Sequence, residues 1–224
     1  ARNSPNSVAV LVEPITGEGG IRIPGTDYLA ELRALCDEHD WLLMLDEIQT
    51  GMGRTGRWFA HQHAGIRPDI VTLAKGLGNG VPIGACLARG AAADIFKPGN
   101  HGSTFGGNPL SASAALAVLR TLEQDGLVAR AEELGNRLLG LFEQRLSRLE
   151  GVVSIRGKGL MLGIELDRTC TELMQRALER QLLINVTADK VVRLLPPLIL
   201  SDTQAELIAS TVCELIETFL GDQQ

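Results

Sequence analysis

A lysine amine acts as a nucleophile only when neutral, so it needs desolvation or a cationic neighbour to lower its pKa. Lys75 stands between the apolar Val71-Thr72-Leu73-Ala74 and the glycine-rich Gly76-Leu77-Gly78-Asn79-Gly80. That setting offers its amine a fixed base and room for a ligand. Asp46 ends an earlier apolar run, Trp41 to Leu45, and Glu47, Ile48 and Gln49 follow it. A buried carboxylate one strand away from Lys75 would hold a heteroaromatic nitrogen protonated. A lysine that forms a Schiff base, with an acidic partner for a pyridinium nitrogen, is how proteins hold pyridoxal phosphate. Taken singly, each residue has a plainer reading: a strand-end lysine is usually solvated, and an Asp-Glu pair often opens the next turn.

A phosphate needs an anion site. His101-Gly102-Ser103-Thr104-Phe105-Gly106-Gly107-Asn108 runs into a helix start and offers hydroxyls and backbone N–H groups; alone it also reads as a surface loop with a helix cap. Arg193 lies in Val191-Val192-Arg193-Leu194-Leu195. Pointing inward, it would meet a substrate carboxylate, which arginine grips bidentately; pointing outward, it is only solvated. Gly76-x-Gly78-x-Gly80 departs from the dinucleotide fingerprint, which counts against a dehydrogenase. His61-Gln62-His63 lacks companions at a metal spacing and reads as surface.

The elements that would position these residues alternate. Val8 to Val12, Trp41 to Leu45, Ile70 to Leu73 and Ile83 to Ala88 read as buried strands. A helix opened by Thr26 and Asp27 carries Leu29, Leu32, Leu35 and Cys36 on one face. The polar residues collect after the strands, at the ends where open α/β sheets bind ligands. Asn108 and Pro109 start a helix that runs to about Glu123. Asp125-Gly126 interrupts it, and a second helix carries Ala131, Leu134, Leu138, Leu141, Phe142 and Leu146. Beyond Gly151 come short strands (Val152 to Ile155, Leu160 to Leu166, Leu182 to Val186, Val191 to Leu195) and a helix near Thr171 to Arg180. A final helix carries Ile208, Val212, Leu215, Ile216 and Phe219. The expectation is an α/β fold: a mostly parallel sheet domain over residues 1–125 and a small α+β domain over 126–224.

The 224 residues are 45% hydrophobic and 21% charged, with net charge −6. No lysine-arginine run favours nucleic acid or an anionic membrane, and the apolar runs are too short to span a bilayer. Ala1-Arg2-Asn3-Ser4-Pro5-Asn6-Ser7 lacks the apolar centre of a signal peptide. Cys36, Cys86, Cys170 and Cys213 stand singly, as free thiols in a reducing cytoplasm would. The chain has no initiator methionine and enters a strand almost at once, so an upstream part is expected to be missing.

Several stretches together resemble the class III aminotransferases. They are Val12-Glu13-Pro14-Ile15-Thr16-Gly17-Glu18-Gly19-Gly20, Leu45-Asp46-Glu47-Ile48-Gln49-Thr50-Gly51-Met52-Gly53-Arg54-Thr55-Gly56, Ala74-Lys75-Gly76, Gly102-Ser103-Thr104-Phe105-Gly106-Gly107-Asn108-Pro109 and Arg156-Gly157-Lys158-Gly159-Leu160. The resemblance covers essentially the whole chain, in order. It implies the large and small domains of a fold-type-I pyridoxal phosphate enzyme, with its N-terminal half missing, and a homodimer with shared active sites. By that resemblance Lys75 holds the cofactor and moves the substrate proton, Asp46 pairs with the ring nitrogen, Ile48 packs on the ring and Gln49 reaches the ring hydroxyl. Glu47 belongs to the same cofactor-binding stretch. Thr104 would bind the neighbouring subunit's cofactor phosphate, and Ser103 would lie near the substrate. Arg193 would bind the α-carboxylate of glutamate or 2-oxoglutarate, with Glu18 masking it when an ω-amine enters. Within the class, Leu183 to Leu198 is most similar to the acetylornithine branch, which implies transfer of a terminal amino group to 2-oxoglutarate in arginine biosynthesis. The ornithine and succinylated-diamine branches share nearly all these motifs. A noncatalytic chain that only pairs with a partner is the competing expectation.

Overall fold

The computed structural model describes residues 6–222; most of the stretch Ala1 to Ser7, read as lacking the apolar centre of a signal peptide, lies outside the described residues. The chain divides into two compact units. The first holds the chain up to Ile15, Pro24–Gly53 and Arg57–Leu127; the second holds Thr16–Ile23, Arg54–Gly56 and the chain from Val128 onward. A single cut at Asp125-Gly126 misses these two early segments, because backbone and side-chain bonds to residues more than 100 positions away hold them in the second unit.

In the first unit, β1 (Ala9–Val12), β2 (Leu42–Asp46), β3 (Ile70–Leu73) and β4 (Ala85–Ala88) form one sheet in that order. The β1–β2 and β2–β3 pairs are parallel and β3–β4 is antiparallel. Strand residues alternate between faces. Leu43 and Leu45 are buried with Leu29 and Cys36 of helix α1 (Tyr28–His39), which leaves Met44 and Asp46 on the opposite face. The sequence reads β1 as a buried strand, but Val8 and Leu11 are exposed; β1 is an edge strand among the described residues and pairs only with β2. Asp27 takes the cap position of α1 without a side-chain cap bond, because its backbone is already helical. Helix α2 (Pro109–Gln124) begins as its sequence demands: the Asn108 side chain accepts from Ser111 N, and Pro109 needs no donor.

The second unit packs α3 (Leu127–Leu146), α4 (Leu173–Glu179) and α5 (Asp202–Gly221) with β5 (Val152–Lys158), β6 (Met161–Leu166), β7 (Asn185–Thr187) and β8 (Val191–Leu194). Its sheet order is β5-β6-β8-β7, antiparallel throughout. The core joins Leu134, Leu138 and Phe142 of α3 to Ile164, Val192, Ile216 and Phe219. Strand β7 starts later than the apolar run suggests; Leu182 and Ile184 pack on the core from the preceding turn instead. Among the described residues no helix is long and apolar enough to cross a membrane.

Candidate active site

Parallel pairing brings the carboxyl ends of β2 and β3 side by side. Asp46, the last residue of β2, pairs with Thr72, and Lys75 follows just beyond β3. Partners in register share a face, so Asp46 and Thr72 both point away from α1. Asp46 is half-buried, and its Oδ1 accepts the Ile48 N–H at 3.0 Å. Lys75 opens a short 3-10 turn, Lys75–Leu77, and adopts φ +39°. A non-glycine residue in this region is uncommon, and such strain concentrates at functional positions. The turn holds it there: Lys75 O accepts from Gly78 N at 3.2 Å and Asn79 N at 3.1 Å. Lys75 is exposed. Ile48 and Gln49 are half-buried in the turn after β2.

Glu47, in the stretch the resemblance assigns to the cofactor, directs its carboxylate into the protein. The residue is 1% exposed. Oε2 accepts from Thr50 Oγ1 at 2.7 Å and Ala60 N at 2.8 Å; Oε1 accepts from His61 N at 2.9 Å and lies 2.9 Å from His61 Nδ1. Burial pushes this carboxyl up, but the His61 ring, the Thr50 hydroxyl and the two backbone N–H groups outweigh it and hold Glu47 below the usual carboxylate range. Both oxygens are spent on tying the 60–64 turn to the end of β2. His61 is accordingly not a surface residue: its side chain is 13% exposed.

Ser103 and Thr104 stand in an exposed loop ahead of α2. Ser103 Oγ accepts the Gly106 N–H at 2.9 Å, and Asn108 already satisfies one of the first N–H groups of the helix. In the second unit, Arg193 lies on β8 between β6 and β7. Its side chain is only 10% exposed, and its Nη1 meets Glu18 Oε1 at 2.7 Å, with Glu18 69% exposed. The two residues form an ion pair.

The sequence profile of the aminotransferase class-III family matches residues 1–216. The chain belongs to the class III aminotransferases. Acetylornithine aminotransferase 1 of Bordetella bronchiseptica is 56% identical over 220 residues, covering 98% of this chain and 56% of that protein. Ornithine aminotransferase of Toxoplasma gondii has a TM-score of 0.93 at 36% identity, covering 99% of this chain and 53% of that one. A second structure of it, with a TM-score of 0.90 at 38% identity and covering 95% and 51%, shows partial occupancy of PLP at its active site. The chain spans about half the length of the curated relatives it matches.

Two arginines of this class III chain carry structure that sequence reasoning assigned to neither. Arg54 donates to Leu160 O at 3.2 Å and to Pro196 O, and burial pushes its guanidinium down to about 10. Arg156 donates from Nε to Ile21 O at 2.7 Å and from Nη2 to Gly20 O at 2.6 Å. The signal available was small: each arginine has one glycine beside it, Gly53 before Arg54 and Gly157 after Arg156, and glycines let backbone approach closely. At Gly159, a Cβ would lie 2.5 Å from the Thr55 carbonyl carbon.

Proposed function

We propose that this chain is the C-terminal half of a pyridoxal phosphate aminotransferase that moves the terminal amino group of N-acetylornithine to 2-oxoglutarate. The observation that carries this reading is the placement of an exposed, backbone-strained Lys75 and of Asp46 at the ends of adjacent strands. The residues fit the cofactor: Asp46 Oδ2 has no protein partner among the described residues, and Lys75 is open to a ligand. When bound, the cofactor supplies an electron sink for the bond broken at the substrate carbon. Lys75 would hold it and then carry the proton at that carbon. Asp46 would keep the ring nitrogen protonated, while Ile48 packs on the ring and Gln49 reaches its hydroxyl. Arg193 would bind the α-carboxylate of glutamate or 2-oxoglutarate, and Glu18 would neutralise it when the ω-amino donor enters.

A homodimer with shared sites is part of this reading, and the exposed Lys75 and the exposed apolar side chains of Phe96, Phe105, Leu110 and Leu116 support a further chain segment or subunit covering them. Ser103 and Thr104, in the exposed loop ahead of α2, would face the partner's substrate and cofactor phosphate. The free thiols Cys36, Cys86, Cys170 and Cys213 accord with a reducing cytoplasm. Borohydride reduction of the full-length protein, followed by peptide mapping, tests the reading. Cofactor mass on Lys75 is expected; an unmodified Lys75 refutes it and favours a chain that only pairs with a partner. The likeness to ornithine aminotransferase structures supports ornithine as the alternative donor, and comparison of kcat/KM for the two donors separates them.

A further inference from the structure

We propose that Arg156 is a positioning residue for Glu18, fixing its carboxylate on Arg193 and so setting how strongly a substrate carboxylate must compete for that arginine. The inference rests on the reading of Arg193 as the carboxylate site.

Register places the parts. Across β5, β6 and β8, Arg156 pairs with Gly163, and Gly163 pairs with Arg193. Two arginines therefore flank one glycine on the same sheet face, about 10 Å apart at two strand spacings. Ile21 fills the place a side chain would take at Gly163: a Cβ there would come within 3.0 Å of Ile21 Cβ. Ile21 is 0% exposed and sits at φ +49°, a conformation that a β-branched residue adopts only when its surroundings impose it.

Arg156 imposes it. Its bonds to Gly20 O and Ile21 O grip the loop on one side of Gly163, and Glu165 Oε2 at 2.7 Å, together with Ser154 Oγ, fixes the guanidinium. Thr16 and Arg22 close the base of the loop with reciprocal backbone bonds of 3.1 and 3.2 Å. Glu18 lies between these anchors and meets Arg193 on the other side. One arginine thus holds the carbonyls of the loop while the other receives its carboxylate. Without the grip, Glu18 would sample many positions, and Arg193 would be masked for a smaller fraction of the time.

The test measures glutarate, an unreactive dicarboxylate, binding to the full-length holoenzyme by calorimetry. Arg193→Lys should weaken it; no loss there overturns the carboxylate assignment, and the inference with it. Glu18→Gln should tighten it about three- to tenfold, as removal of a part-exposed masking contact does. Arg156→Lys, which keeps the charge and loses the fork, should tighten it in the same direction, and combined with Glu18→Gln it should add nothing further. Glu165→Gln should act likewise, to a smaller extent, and decides the matter if Arg156→Lys does not fold. If Glu18→Gln tightens binding while Arg156→Lys and Glu165→Gln leave it unchanged or weaken it, the positioning role is overturned and the Arg193 assignment stands. An Arg156→Lys effect that persists undiminished without Glu18 also overturns it, by showing a merely structural role.

Discussion

Replacing Glu47 with glutamine should cost about 2–4 kcal/mol of stability, the price of leaving one buried backbone donor and one amide donor unpaired. The carboxylate serves Thr50, Ala60 and His61. The hydroxyl and the imidazole can exchange donor and acceptor roles, but the N–H groups of Ala60 and His61 cannot. One of these backbone groups binds each oxygen, so either orientation of the amide turns its NH2 toward a backbone donor. The pH dependence has a definite sign. The folded pKa of Glu47 is depressed, so its contribution is full above the unfolded value of about 4.3 and is lost as pH falls through the folded value. Urea unfolding of the full-length protein and the variant should therefore differ most near neutral pH and converge in acid below pH ~4. A difference under about 0.5 kcal/mol at neutral pH, or one that widens in acid, would refute the argument.

Asp46→Ala should lower turnover by about 10²–10³-fold, the scale of losing one preorganised electrostatic partner. Borohydride should still trap the cofactor on Lys75, and near-normal turnover would remove Asp46 from the site. Arg193→Lys should slow the glutamate half-reaction by about 2 kcal/mol, roughly thirtyfold, and the ω-amino donor half-reaction by less. Single-turnover absorbance with each substrate reads this, and equal losses would make Arg193 structural.

Much of this was legible because hydrophobic runs and strand ends are local signals. Ile70 to Leu73 is bounded as read, and Asn108-Pro109 starts α2 because cap and first turn are written in adjacent residues. The strand ends that carry Asp46 and Lys75 followed from the same logic. The partners of the Glu47 carboxylate were not legible, because they lie in the turn at Ala60 and His61, whose return to β2 no periodicity announces. The same fact explains His61. Leu182 and Ile184 are apolar whether they lie in a strand or pack from a turn, so composition could not fix the start of β7. Arg54 and Arg156 bind backbone carbonyls, which every residue has, so their partners leave no trace in the sequence.

The second unit is written in three separated stretches of chain. Its ties span long intervals: 106 residues from Arg54 to Leu160, 135 from Ile21 to Arg156 and 175 from Glu18 to Arg193. Each closes a large loop, whose entropic cost rises only as the logarithm of length but must be met before the contact returns anything. On the ribosome, residues 16–23 and 54–56 emerge long before the strands that will receive them. Until β6 and β8 arrive, Ile21 has no glycine to rest on and its left-handed backbone has no reason to form. The arginine pocket is thus among the last features of its unit to mature, and a piece cut to begin at Val128 would leave the Gly163 position bare and Arg193 without its carboxylate.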